Sequence, residues 1–185
     1  MLNLKVINIW GAPGVGKSTV ATGLFTLMKI KGHSVEYVSE YAKDLTWGRD
    51  WMGLAHQPSI LAHQDYRLYR LNNQVEWVVL DSPLPMQIAY MGDAWVGIGL
   101  DRTAWDLFAR YDNFNVLIER SGLFPYEEAG RNQTSEQAMM LDNVIDHLFH
   151  TAILDDEDFS LEMKSSFEAP HKIYQWLMES EHGAD

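Results

Sequence analysis

The feature that most constrains this chain is Gly11-Ala12-Pro13-Gly14-Val15-Gly16-Lys17-Ser18, followed by Thr19. It fits G-x-x-x-x-G-K-[ST], a phosphate-binding loop. The glycines let the backbone turn tightly and direct its N–H groups inward, which makes a concave anion site. The flanks agree with that reading. Leu4 to Trp10 reads as a strand, and Val20, Leu24, Leu27 and Met28 recur at helical spacing. A strand, a glycine-rich turn and a helix whose positive end meets the anion are the parts such a site needs. In this pattern Lys17 reaches the β- and γ-phosphates, and the Ser18 hydroxyl ligates Mg²⁺.

The rest of the chain reads as alternating strands and helices, so the expected fold class is α/β. A parallel sheet of about five strands sits in a three-layer sandwich, forming a single domain over 1–185. Expected strands are 3–10, 35–39, 74–80, 113–118 and 159–165. Expected helices include 17–31, 58–72, 101–111, one after the capping box that starts at Thr134, and 170–179. Residues 46–57 read as a loop or short helices, and 84–112 as mostly helical with glycine breaks. Trp95 and Trp105 read as core. In the helix after Thr134, the expected apolar face is Ala138, Leu141, Val144, Ile145 and Leu148.

Composition narrows the function classes. Without cysteine there is no disulfide, thiolate metal site or cysteine nucleophile. No apolar run approaches a membrane span, and the chain opens directly on a strand, so the expected location is cytoplasmic with no membrane partner. The net charge is −12, but residues 1–74 carry eight basic and five acidic side chains, while 75–185 carry six and 21. That balance opposes non-specific nucleic-acid binding and leaves the N-terminal part as the place for a basic site. Nothing in the sequence fixes the oligomeric state.

Three further positions fall where phosphoryl-transfer chemistry would want them. Ligands of open α/β sheets sit beyond the carboxyl ends of the strands. Glu40 ends the second strand and is the candidate base for an acceptor hydroxyl. Asp81 ends the most apolar strand, the pattern of a carboxylate that holds Mg²⁺. Arg131 lies within the polar stretch Leu123 to Gln133, expected to form a lid over about 121–134, and is the candidate arginine to neutralise a transferring phosphate. Arg120 is a second candidate there. For the acceptor, Arg49, Arg67 and Arg70 are candidate phosphate contacts, and Gln64 is the candidate for reading a base edge. The acidic turn Asp155-Asp156-Glu157-Asp158 lacks the spacing of a calcium loop.

Glu40-Tyr41-Ala42-Lys43-Asp44-Leu45, Asp81-Ser82-Pro83-Leu84 and Gly130-Arg131-Asn132-Gln133-Thr134, with Glu136 and Ala138, resemble the small P-loop kinases of tailed bacteriophages, often labelled AAA-like ATPases. The first stretch also resembles nicotinamide riboside kinase domains. The resemblance spans nearly the whole chain. It implies an ATP-dependent kinase with Mg²⁺ as cofactor and a nucleoside- or nucleotide-type acceptor. Within the thymidylate-kinase-related subgroup, it implies the hydroxymethyl group of 5-hydroxymethyluracil in phage DNA. One stretch departs from that subgroup: Phe124-Pro125-Tyr126-Glu127-Glu128 stands where Lys-Pro-Tyr-Asn is expected. The alternatives are a kinase of a free nucleoside, nucleoside monophosphate or nicotinamide riboside-like compound, and an NTPase switch acting on a protein partner.

Overall fold

The computed structural model describes residues 2–127, 129, 132–153 and 159–182. Five strands form one parallel sheet in the order β2-β3-β1-β4-β5. They are β1 Lys5–Trp10, β2 Val35–Val38, β3 Trp77–Leu80, β4 Asp112–Glu119 and β5 Ser160–Lys164. The helices are α1 Lys17–Ile30, α2 Tyr41–Gly48, α3 Trp51–Ala55, α4 Gln57–Tyr69, α5 Leu100–Phe108, α6 Ser135–Ala152 and α7 Ala169–His182. Two 3₁₀ segments, Leu84–Tyr90 and Asp93–Trp95, follow β3. The expected α/β class and strand number hold.

The sheet explains why its strands are apolar on both faces. All four residues of β3 are buried, as are five of the six in β1, because helices cover each side. Trp10 anchors one side of β1. Its ring meets Phe108 and Phe149 edge-on at 6.1 and 6.0 Å, and its Nε1 donates to Asn115 Oδ1 at 3.0 Å. A fully buried indole keeps its polar edge satisfied in this way. The opposite face receives α1 through Val20, Ala21, Leu24 and Met28.

Several boundaries move for local reasons. β3 begins at Trp77 and not at 74, because Gln74 N–H bonds back to Leu71 O at 2.9 Å in the turn that ends α4. Residues 41–48, read in sequence only as the stretch following Glu40, form a helix, and the irregular 46–57 segment resolves into the end of α2 and the short α3. The capping box is present: Thr134 Oγ1 accepts from Gln137 N, and the Gln137 side chain accepts from Thr134 N. Of the expected apolar face of α6, Val144 is a correction, since it is 44% exposed while Ala138 and Ile145 are fully buried. Trp95 and Trp105 are half-buried against the core. The acidic turn at 155–158 lies outside the described residues. Among the described residues, no helix is long and apolar enough to cross a membrane.

Trp10→Ala should lower the unfolding free energy by about 3–5 kcal/mol in urea denaturation. Ile30→Ala, at a 77% exposed position, should stay within about 0.5 kcal/mol of the parent.

Candidate active site

The order of the sheet places the ends of β1, β2 and β3 along one edge. The loop 11–16 leaves β1 there, and α1 begins at Lys17 with Gly16 as its N-cap. Gly16 has φ +99 and no side chain to cap the helix, and the first turn of α1 carries no acid. The first N–H groups of α1 therefore lack an internal cap, and the helix dipole adds positive potential, which suits an anion. The Lys17 ammonium is mostly buried and donates to Ala12 O at 3.0 Å, inside the loop.

Aromatic rings of the segment after β4 cover this loop. A Cβ at Gly14 would lie 2.6 Å from the Tyr126 ring, and one at Gly16 would lie 2.6 Å from the Phe124 ring. Both glycines also have positive φ, so any side chain there is strained as well as crowded. Within the stretch 121–134 two rings are thus seated on the loop, with Tyr126 Oη donating to Gln133 O at 2.5 Å.

A cavity of about 410 Å³ adjoins the loop. Pro13, Gly14, Gly16, Lys17, Ser18 and Thr19 of the loop and α1 line it together with Glu40, Lys43, Gln57, Gln87, Tyr90 and Glu127. Glu40 occupies the N-cap position of α2, yet its side chain makes no capping bond, and it lines the cavity instead. Helix capping therefore does not account for this glutamate.

Asp81 follows β3 and is 2% exposed. Its N–H donates to Val38 O at 3.0 Å, which fixes the backbone, and Oδ2 accepts from the Tyr37 hydroxyl at 3.1 Å. Oδ1 and the neighbouring Ser82 Oγ are buried without a hydrogen-bond partner. An orphaned carboxylate oxygen beside a hydroxyl is a donor set of hard oxygens, which fits Mg²⁺. Burial, then the Asp81 charge and hydrogen bond, then the Glu40 charge push the Tyr37 hydroxyl far above its ordinary pKa. Burial, followed by the charges of Glu40, Tyr126 and Asp81, does the same to Tyr90. Both hydroxyls are donors at neutral pH.

The structure separates the expected acceptor residues from the cavity. Gln64 is fully buried, and its amide holds the turn between β2 and α2: Oε1 accepts from Tyr41 N at 2.8 Å, and Nε2 donates to Ser39 O at 3.3 Å. A side chain so engaged does not read a base edge. Arg67 donates to Ser39 O and Oγ at 3.2 and 3.0 Å, pairs with Asp44 and covers the Tyr41 ring. It therefore braces the Glu40 turn. Arg49, in the left-handed region at φ 54, and Arg70 are exposed at the C-caps of α2 and α4 and are not in the cavity wall. Arg120 forks onto Asp142 with two 3.0 Å bonds and donates to Pro13 O at 3.0 Å, so it ties the loop to α6. Arg131 lies outside the described residues.

Gln57, Gln87 and Tyr90 were missed in the sequence. One signal was present for Gln87, an isolated amide in the otherwise apolar run Leu84–Tyr90.

The profile of a family described as an AAA domain matches residues 6–153. No curated protein matches the chain. Among solved structures, the fold is similar to the Mycobacterium tuberculosis APS kinase CysC in complex with AMPPNP and APS. The TM-score is 0.51 at 15% identity, over 96% of this chain and 99% of that one. The Cys556Ala mutant of the same kinase gives 0.50 at 18% identity with the same coverage.

Gln64→Leu should leave the Tyr41 N–H unsatisfied and cost about 1–3 kcal/mol in denaturant unfolding. Hydrogen exchange at Tyr41 should accelerate more than at Val79.

Proposed function

The chain belongs to the AAA-domain family of P-loop proteins, matched over residues 6–153, and from that premise we propose that it is an ATP-dependent kinase. The observation that carries this reading is a single cavity that holds both the phosphate loop and Glu40. A hydrolase needs only water at the γ-phosphate. Here the same cavity is also walled by residues of α2, α3, α4 and the 3₁₀ segment after β3, polar and apolar, as a second substrate requires. The likeness of fold to a kinase solved with AMPPNP and APS agrees with this reading.

The residues divide the work as follows. The loop amides and Lys17 bind the β- and γ-phosphates and offset their charge. Ser18 and Asp81 would hold Mg²⁺, which when bound neutralises charge developing on the phosphate oxygens. Glu40 accepts the proton of the acceptor hydroxyl as that oxygen bonds to the γ-phosphorus. The bond from the γ-phosphorus to the β-phosphate oxygen breaks, and ADP leaves with that electron pair. Tyr37 keeps Asp81 oriented through its hydroxyl. Arg131, on the sequence reading of a lid arginine, would supply positive charge to the transferring group, and Arg120 keeps the loop in register with α6.

For the acceptor we put first the 5-hydroxymethyl group of 5-hydroxymethyluracil in DNA, on the resemblance carried by residues 40–45, 81–84 and 130–138. The structure adds a supporting feature. Trp47 and Trp51 are exposed, at 63% and 58%, on the two short helices α2 and α3 that contribute Thr46 and Leu54 to the cavity wall. Exposed indoles are stacking platforms for unpaired bases. A free nucleoside is the second reading, favoured by the net charge of −12.

Transfer of labelled γ-phosphate should be assayed in parallel on DNA containing 5-hydroxymethyluracil, ordinary DNA, free nucleosides and nucleoside monophosphates. Label is expected in an organic phosphate. ATP hydrolysis with label in no acceptor would instead support a switch acting on a protein partner. Glu40→Gln should lower kcat at saturating acceptor by about 10²–10⁴-fold, and unchanged turnover would remove the base assignment.

A further inference from the structure

Among the charged side chains that line the cavity, Lys17 and Glu40 have roles in the transfer and Lys43 has none. Lys43 stands in the first turn of α2 and is exposed. Among the described residues it donates no hydrogen bond and joins no ion pair. Helix stability does not account for it, because a cation in the first turn opposes the macrodipole. The other basic side chains of this region are placed elsewhere. Arg67 pairs with Asp44 and donates to Ser39, Arg120 forks onto Asp142, and Arg49 and Arg70 are not in the cavity wall. Lys17 and Lys43 are therefore the two cations of this wall among the described residues.

Local geometry pairs Lys43 with Glu40. Glu40 is the N-cap of α2 and Lys43 its N3 residue, the two positions whose side chains act together in a capping box. At the start of α6 the corresponding pair, Thr134 and Gln137, forms that box. At α2 no such box forms: an ammonium has no acceptor for the N-cap N–H, and Glu40 makes no capping bond. Both side chains line the cavity instead. One helix start thus contributes a carboxylate and an ammonium to the space beside the phosphate loop.

A carboxylate poised to take a proton beside a triphosphate brings like charges together, and their repulsion grows as water is excluded. A cation next to that carboxylate offsets the repulsion. It contributes most where negative charge spreads over the oxygens in flight between donor and acceptor. Lysine suits this position, as a point charge with three donors on a flexible stem.

We propose that Lys43 is a second catalytic cation, which binds oxygens of the γ-phosphoryl group from the α2 side of the cavity while Lys17 holds it from the loop. The inference rests on the kinase reading for the reaction at this site. As the acceptor oxygen bonds to the γ-phosphorus, its proton passes to Glu40. The bond to the bridging β-phosphate oxygen breaks, and that electron pair leaves on ADP. Lys43 forms no covalent bond and keeps its protons; it offsets charge on the equatorial oxygens.

The test uses the full chain with Lys43→Met, which keeps the side chain long and removes its charge, and Lys43→Arg, which keeps the charge. Transfer of labelled γ-phosphate is measured with the acceptor that takes label, and binding of AMPPNP with Mg²⁺ by calorimetry. Lys43→Met should lower kcat by about 10²-fold. KM for the acceptor and Kd for AMPPNP should change by less than about threefold, since the contact strengthens in the transition state. Lys43→Arg should recover at least about tenfold of the loss. The Tm of Lys43→Met should be no lower than the parent's, because the first turn loses an unfavourable charge.

An unchanged kcat in Lys43→Met overturns the proposal. So does a loss carried by the acceptor KM alone, which would make Lys43 a binding group for the acceptor, or a loss that Lys43→Arg does not relieve. If label reaches water alone with every acceptor, the kinase reading fails, and the same variants are read on ATP hydrolysis. There, a kcat lowered about tenfold or more upholds the second cation, and an unchanged kcat overturns it. Turnover of neither kind overturns both.

Discussion

The site depends on one constraint, the parallel pairing of β1 with β3 on one side and β4 on the other. Each parallel neighbour brings its carboxyl end to the same edge of the sheet. The phosphate loop leaves β1 at that edge, Asp81 leaves β3, and Arg120 follows β4 to reach back to Pro13. β2 pairs outside β3 and delivers Glu40. Were β1 at an edge, the loop would lack Asp81 on one flank or the Arg120–Asp142 brace on the other.

Around that frame, most of the polar groups near the site act on backbone. Gln64 and Arg67 hold the turn between β2 and α2 from beneath, so Glu40 stands at the N-cap of α2 without capping it. Arg120 holds the loop. Such groups fix the positions of the reacting residues within the small tolerances that transfer chemistry needs. Near the site, the buried side-chain atoms left without a protein partner among the described residues are few: Asp81 Oδ1, Ser82 Oγ and Gln57 Oε1.

This division explains what could be read from the sequence. The loop is legible because its residues are contiguous, and the positions of Glu40 and Asp81 because strand ends share one edge of a parallel sheet. The acceptor side was not legible. Helical periodicity placed Gln64 and Arg67 on one face of α4, but periodicity does not tell which neighbour that face meets. It met the backbone of 39–41 and not the cavity. Gln57 and Gln87 come from separate elements, and only the packing of α4 against the segment after β3 brings them to one cavity. The exposed Val144 shows the same limit, since a helical stripe can be wider than the surface available to bury it.

The central claim is that the γ-phosphate passes to an organic hydroxyl held beside Glu40, and not to water. The most direct measurement is turnover in water labelled with a heavy oxygen isotope, in the presence of the preferred acceptor, with phosphorus NMR of the products. The account predicts a phosphate monoester whose oxygens carry no solvent label. Inorganic phosphate carrying solvent oxygen as the sole γ-derived product, across the whole acceptor panel, would contradict it.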